Sequence, residues 1–265
     1  MRVRILSTPD AVARSLSLEV SRIIRANPST VLGLPTGRTP IGFYSQLSRL
    51  YARDQIDFSR VSTFNVDEFV GVDADHPGSY HAYMRRHLFD HVNIARPRRH
   101  LLDGRAGDVV RECARYERAI EAAGGIDLLM LGLGPNGHIG FNEPASSLAA
   151  LTHRATLHDQ TRRANAPLFG HRLSAVPREG LSMGMATILR ARRIVLMAIG
   201  AGKSACVARM LEGPITTRLP ASFLQLHPAV EIWLDRAAAR RLRPTSSRPS
   251  APASTGLRRP RRSRP

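Results

Sequence analysis

The chain alternates between short apolar runs and longer stretches whose apolar residues recur every three or four positions. Val3–Leu6 is the first run. Ser7, Thr8, Pro9 and Asp10 then read as a helix start: a hydroxyl to cap free N–H groups, and a proline whose fixed φ suits the first turn. Val12, Leu16, Val20, Ile23 and Ile24 follow at helical spacing. Thr30–Leu34 predicts a short buried strand, Pro35–Pro40 a turn, and Ile41, Tyr44, Leu47 and Tyr51 one face of a helix. Further strands are expected at Val61–Val66, Ile126–Leu133, Arg193–Ile199 and Val230–Leu234, with helices at Arg111–Ala122 and Lys203–Leu211. Strands that are apolar throughout are covered on both faces, and strands separated by helices pair in parallel. The pattern therefore predicts an α/β fold with an open, doubly wound, mostly parallel sheet flanked by helices. No internal repeat interrupts it.

Two stretches depart from the pattern. The segment from about residue 153 to 180 has no strong period and is expected to form a mobile lid. Beyond Ala238 the chain turns to Arg, Pro, Ser and Ala. The expectation is one domain over residues 1–238 and a disordered basic tail over 239–265.

Composition narrows the class. Of 265 residues, 43% are hydrophobic and 23% charged, which excludes a wholly disordered or fibrous chain. No apolar run approaches the roughly 18 residues that cross a bilayer, so no membrane association is expected. The opening residues are β-like rather than the core of a signal peptide. Two cysteines, Cys113 and Cys206, are too few for a disulfide framework, so a cytoplasmic location is expected. The net charge of +18 suggests nucleic acid at first sight. Yet ten of the 39 basic residues, and none of the 21 acidic ones, lie after Asp235, leaving +8 on the first 235 residues. All basic residues but Lys203 are arginine, a compositional bias that weakens any argument from bulk charge. A small anionic molecule is the expected partner rather than nucleic acid; a homo-oligomer is compatible with the sequence.

Ligands of open α/β sheets bind beyond the carboxyl ends of the strands, so the loops there carry the chemistry. Gly33–Pro40 contains Thr36, Gly37, Arg38 and Thr39 between a strand and a helix. It reads equally as an anion site built on free N–H groups or as a capped turn. Asp67 and Glu68 close the run Thr63–Phe69. Adjacent side chains of a strand point opposite ways, so one carboxylate faces the cleft as a base, or both serve as caps or arginine partners. Leu131–Pro144 is the richest loop, with four glycines, Asn136, His138, Asn142 and Glu143. His138 suits proton transfer near neutral pH, Glu143 its orientation, and Asn136 a substrate hydroxyl. Ile199–Ser204 opens a helix with the chain's single lysine, Lys203, where the helix dipole disfavours a cation unless an anion is bound. There is no HExxH or cysteine cluster for a metal and no GxSxG, so neither cofactor nor metal is expected.

Gly33–Pro40, Phe64–Phe69, Asn136–Ala145 and Leu224–Pro228 together resemble the glucosamine-6-phosphate deaminase family, in order along Met1 to Asp235. The resemblance implies a Rossmann-like fold and a metal-independent aldose–ketose isomerisation of glucosamine 6-phosphate, with loss of ammonia to give fructose 6-phosphate. It implies that Asp67 moves a proton between C2 and C1. It implies that His138, assisted by Glu143 and Asn136, opens the pyranose ring. The phosphate would be held by Thr36–Thr39 and Lys203. Two further readings are a 6-phosphogluconolactonase-like hydrolase and a non-catalytic sugar-phosphate-binding regulator.

Four positions depart from the family pattern. Asn136 stands where some members carry aspartate. Pro167 stands where the family places a phosphate-binding arginine, and proline donates no hydrogen bond. Losing such a contact costs about 1.5–3 kcal/mol; Arg163 or Arg172 is expected to compensate. Ser146 and Ser147 match serines of an allosteric site in some relatives, but its basic positions are His153 and Ala155 here. The resemblance thus implies no activation by N-acetylglucosamine 6-phosphate.

Overall fold

The computed structural model of the protein describes residues 1–243. Its main sheet contains β1 (Arg2–Leu6), β2 (Val31–Leu34), β3 (Ser62–Asn65), β5 (Arg99–His100), β6 (Leu128–Gly132), β9 (Arg193–Ala198) and β10 (Val230–Asp235). The spatial order is β1-β10-β9-β6-β2-β3-β5, and every pairing is parallel. The chain runs outward from β2 through β3 to β5, then restarts at β6 and runs outward the other way. The order therefore reverses between β2 and β6, and the crevice at that reversal is where a doubly wound sheet binds its ligand.

The central apolar runs are strands because both faces are buried, whereas β1, at the sheet edge, leaves Val3 and Ile5 exposed. Leu32 and Leu34 of β2 and Leu128 and Met130 of β6 join one core, with residues of α1 (Pro9–Ala26), α2 (Ile41–Tyr51) and α3 (Tyr80–His87). Val31, Leu129 and Leu131 join the other, with residues of α4 (Val109–Ala122), α6 (Met185–Leu189) and α7 (Ser204–Glu212). The first helix starts as its sequence dictates: the Thr8 hydroxyl accepts from the Ala11 N–H at 3.1 Å, and Val12, Leu16, Val20 and Ile24 face inward. α8 (Arg236–Ala239) buries Ala238 and Ala239 against the sheet. The expected tail lies outside the described residues from position 244 onward.

A second sheet departs from the expected pattern. β4 (Asp67–Phe69), β8 (Glu179–Ser182) and β7 (His153–Thr156) pair antiparallel, in the order β4-β8-β7. The expected strand Val61–Val66 instead ends at Asn65, and Asp67 and Glu68 start β4 opposite Ser182 and Leu181. A strand three residues long that carries two carboxylates has no apolar alternation to announce it. Its partners lie far along the chain, in the segment expected as a lid. That segment contains β7, α5 (Asp159–Asn165) and two short 3-10 turns, and leads into β8.

Candidate active site

A cleft of about 430 Å3 lies at the carboxyl ends of β2, β3, β6 and β9. Thr36, Gly37, Arg38, Thr39, Asp67, His138 and Lys203 all line it. The four loops singled out in the sequence thus converge on one cavity.

Asp67 and its neighbour divide the two roles that the sequence left open. Glu68 turns away from the cleft and caps α3. Its carboxylate accepts the N–H groups of Tyr80 at 2.9 Å and His81 at 3.1 Å, as well as its neighbour Phe69 at 2.7 Å. Asp67 turns into the cleft and is 7% exposed. Burial, reinforced by the Glu68 carboxyl and opposed by a hydrogen bond from Thr36, pushes its carboxyl up to about 8. A carboxyl raised that far is a poor ion-pair partner and a strong base once ionised.

His138 is held from behind. Its Nδ1 lies 3.4 Å from Glu143 Oε2 and 3.2 Å from the Thr161 hydroxyl. Asn136 Nδ2 donates to the same Glu143 oxygen at 2.7 Å, and Asn136 Oδ1 accepts the His138 backbone N–H at 3.2 Å. Burial opposes ionisation of Glu143, but the His138 imidazole, the Thr161 hydroxyl and the Asn136 amide outweigh it and hold its carboxyl down to about 2. An ionised partner at Nδ1 places the ring proton there and leaves Nε2 as an acceptor. Asn136 and Glu143 do not line the cleft. Asn136 Nδ2 donates to Glu143 and the residue stands behind the cleft lining rather than in it. The His138 ring also lies on Gly134, where a Cβ would sit 2.3 Å from Nε2. Gly140, with φ of +56°, lets the loop turn so that Phe141 N–H reaches the Ser182 hydroxyl on β8 at 3.0 Å.

The opposite end of the cleft is cationic. Gly37 has φ of +91° and nothing within 4 Å of a Cβ, so conformation rather than close approach requires glycine there. Lys203 precedes α7 and lies in the same lining as Arg38. Burial, with Arg38 adding repulsion and Cys206 opposing, lowers its pKa. Neither cation forms an ion pair among the described residues. Pro167 lines this cleft with Ala164, Asn165 and Leu168, whereas Arg163 and Arg172 do not. Arg172 instead lines a separate cavity beside Arg105 and Asp73. Arg163 and Arg172 lie on a segment whose path only the packed fold defines.

The sequence missed Tyr80, Tyr83 and His87 of α3, which line the cleft, and Thr161, which sits behind His138. The Tyr83 hydroxyl donates to the Gly37 carbonyl at 2.5 Å, bracing the turn. Only the spacing of two tyrosines on one helical face, Tyr80 and Tyr83, hinted at them.

Comparison with known proteins agrees with this fold. The family described as glucosamine-6-phosphate isomerases/6-phosphogluconolactonase matches residues 7–233. A glucosamine-6-phosphate deaminase of Halothermothrix orenii is 46% identical over 239 residues, covering 90% of this chain and 99% of the relative. One from Hahella chejuensis is 44% identical over 242 residues, covering 91% and 92%. Among solved structures, a monomeric glucosamine-6-phosphate deaminase superposes with a TM-score of 0.88 at 41% identity, covering 91% of this chain and 99% of that one. A 6-phosphogluconolactonase of Thermotoga maritima superposes at 0.70 with 20% identity, covering 88% and 98%, a likeness of fold alone. With a match along nearly its whole described length, the chain belongs to the glucosamine-6-phosphate isomerase/6-phosphogluconolactonase family.

Proposed function

We propose that the protein is a glucosamine-6-phosphate deaminase, converting glucosamine 6-phosphate and water to fructose 6-phosphate and ammonia. The observation that carries the reading is the division of labour in the cleft: a buried base of raised pKa on one wall, a carboxylate-oriented imidazole on another, and a cationic end formed by the Thr36–Thr39 turn and Lys203. The relatives' names support the same substrate.

The phosphate docks against Thr36, Gly37, Arg38, Thr39 and Lys203. His138 takes the C1 hydroxyl proton on Nε2 and returns one to the ring oxygen, while Glu143 and Asn136 fix the tautomer through Nδ1. In the open-chain sugar, Asp67 removes the proton from C2 and delivers it to C1. The C2 nitrogen becomes an imine, water adds to C2, and the C–N bond breaks to release ammonia and leave the ketone. One base that serves two adjacent carbons must be close to both and shielded from solvent, which its burial provides. No metal takes part in these steps. Lactone hydrolysis calls for activation of water alone and does not need a base that serves two adjacent carbons.

The test is ammonia release from glucosamine 6-phosphate by the purified protein, with Asp67→Asn as control. Release by the native chain and its loss in the variant are expected; hydrolysis of a lactone with no ammonia would move the assignment to the other branch of the family. The same assay tests regulation: the rate curve is expected to be hyperbolic with or without N-acetylglucosamine 6-phosphate, because Ala155 and His153 offer no second cationic pair for its phosphate. Free, buried Cys113 and Cys206 support a reducing cytoplasm as the location.

A further inference from the structure

Three side chains in a row carry more buried polarity than the fold satisfies. Thr63, Asn65 and Asp67 are 0%, 0% and 7% exposed. Thr63 Oγ1, both amide atoms of Asn65 and Asp67 Oδ1 have no hydrogen-bond partner among the described residues. The row is not scattered. Thr63 and Asn65 alternate with Phe64 along β3 and so share one face; the chain then bends at Val66, which packs in the same core as Phe64, and Asp67 opens β4 two residues after Asn65. Thr63 and Asn65 stand in register with Leu32 and Leu34 of β2, whose side chains enter the core shared with α1, α2 and α3. An Asn with both ends unpaired beside Leu34 is an expensive choice for a core position, since an apolar residue of similar size would pack there without loss. Internal water satisfies such groups, each molecule making two to four hydrogen bonds. The row offers it an amide donor, an amide acceptor, a hydroxyl and a carboxylate oxygen.

We propose that Thr63, Asn65 and Asp67 form one buried site for internal water, and that Asn65 is a positioning residue which, through that water, favours the ionised form of the Asp67 carboxyl. The functional part of the inference rests on Asp67 being the base of the proposed reaction. A hydrogen bond donated to a carboxylate stabilises its charged form. Asp67 is otherwise faced by the Glu68 carboxyl, by buried Tyr44 of α2, Tyr80 of α3 and Tyr116 of α4, and by the Thr36 hydroxyl. Across the cleft stand His138, Arg38 and Lys203.

The experiment uses Asn65→Leu and, in case that variant fails to fold, the near-isosteric Thr63→Val; Asn65→Ser retains a hydroxyl for partial rescue. The Asp67 carboxyl is followed by carbon NMR in the ligand-free protein, assigned by its disappearance in Asp67→Asn. The acid limb of kcat/KM is measured alongside. Expected is an upward shift of about one pH unit by both readouts in Asn65→Leu, with roughly tenfold lower kcat/KM on the acid side and little change in KM. A smaller shift is expected for Thr63→Val and for Asn65→Ser. An unmoved Asp67 titration in a folded variant overturns the proposal, as does a loss of activity that is equal at every pH. If the native chain releases no ammonia, the deaminase reading falls, while the NMR titration still decides whether Asn65 and its water act on Asp67.

Discussion

Replacing Asp67 by asparagine tests the catalytic base through stability as well as rate. The carboxyl is pushed from 3.8 to about 8 in the folded chain. In the unfolded chain it ionises near its ordinary value. A raised folded pKa means that the folded state binds the proton more tightly. Its stabilising contribution is complete below pH 3.8 and is lost as the pH rises to about 8. At pH 7 the native protein must therefore hold a carboxyl protonated about three pH units above its unfolded value. At 1.36 kcal/mol per unit this amounts to at most about 4 kcal/mol. Asparagine is neutral throughout and keeps the Thr36 hydroxyl within reach, so the variant escapes that penalty. Thermal unfolding should show the variant equal to the native chain near pH 4. It should be more stable by up to about 10 °C at pH 7 to 8. Ammonia release should fall by a factor of about 100 to 10,000, the usual worth of a general base. Activity of the native enzyme should rise with pH as Asp67 ionises. An Asp67→Asn variant that is less stable at pH 8, or that keeps native ammonia release, would refute both the burial argument and the role assigned to the residue.

Other expectations follow from single contacts. Gly134→Ala should lower kcat with the fold intact, because its Cβ would meet the His138 ring at 2.3 Å and turn the imidazole; an unchanged kcat would show that the ring need not lie where it does. Lys203→Ala should raise KM for glucosamine 6-phosphate by roughly ten- to a hundredfold, the value of a charge-assisted contact, with a smaller effect on kcat; a change confined to kcat would remove Lys203 from the phosphate site. Glu143→Gln should reduce kcat without moving the acid limb of the pH profile, since the Glu143 carboxyl, held down to about 2, stays ionised across the working range. A shifted acid limb in that variant would transfer the observed titration from Asp67 to the His138 pair.

Much of this protein is written locally. Leu32–Leu34, Leu128–Leu131 and Ile194–Ala198 are apolar throughout because a sheet covered on both faces must be, and that alone specifies parallel strands with crossover helices. The glycine-rich loop around His138 and the lone Lys203 stand out for the same reason: their residue types answer to chemistry rather than packing. The tertiary structure decided what depends on distant partners. β4 is a strand only because Ser182 and Leu181 of β8 lie opposite it. That pairing sends Asp67 into the cleft and Glu68 to the start of α3, two fates that adjacent and chemically similar residues cannot disclose on their own. The turn of the loop likewise brings Glu143 within 2.7 Å of the Asn136 amide. Thr161 and the unpaired Asn65 gave no signal, since a threonine on a helix and an asparagine on a strand are ordinary until burial shows what they face. Periodicity reports which side of an element is buried; only the assembled fold fixes which polar groups that burial brings together.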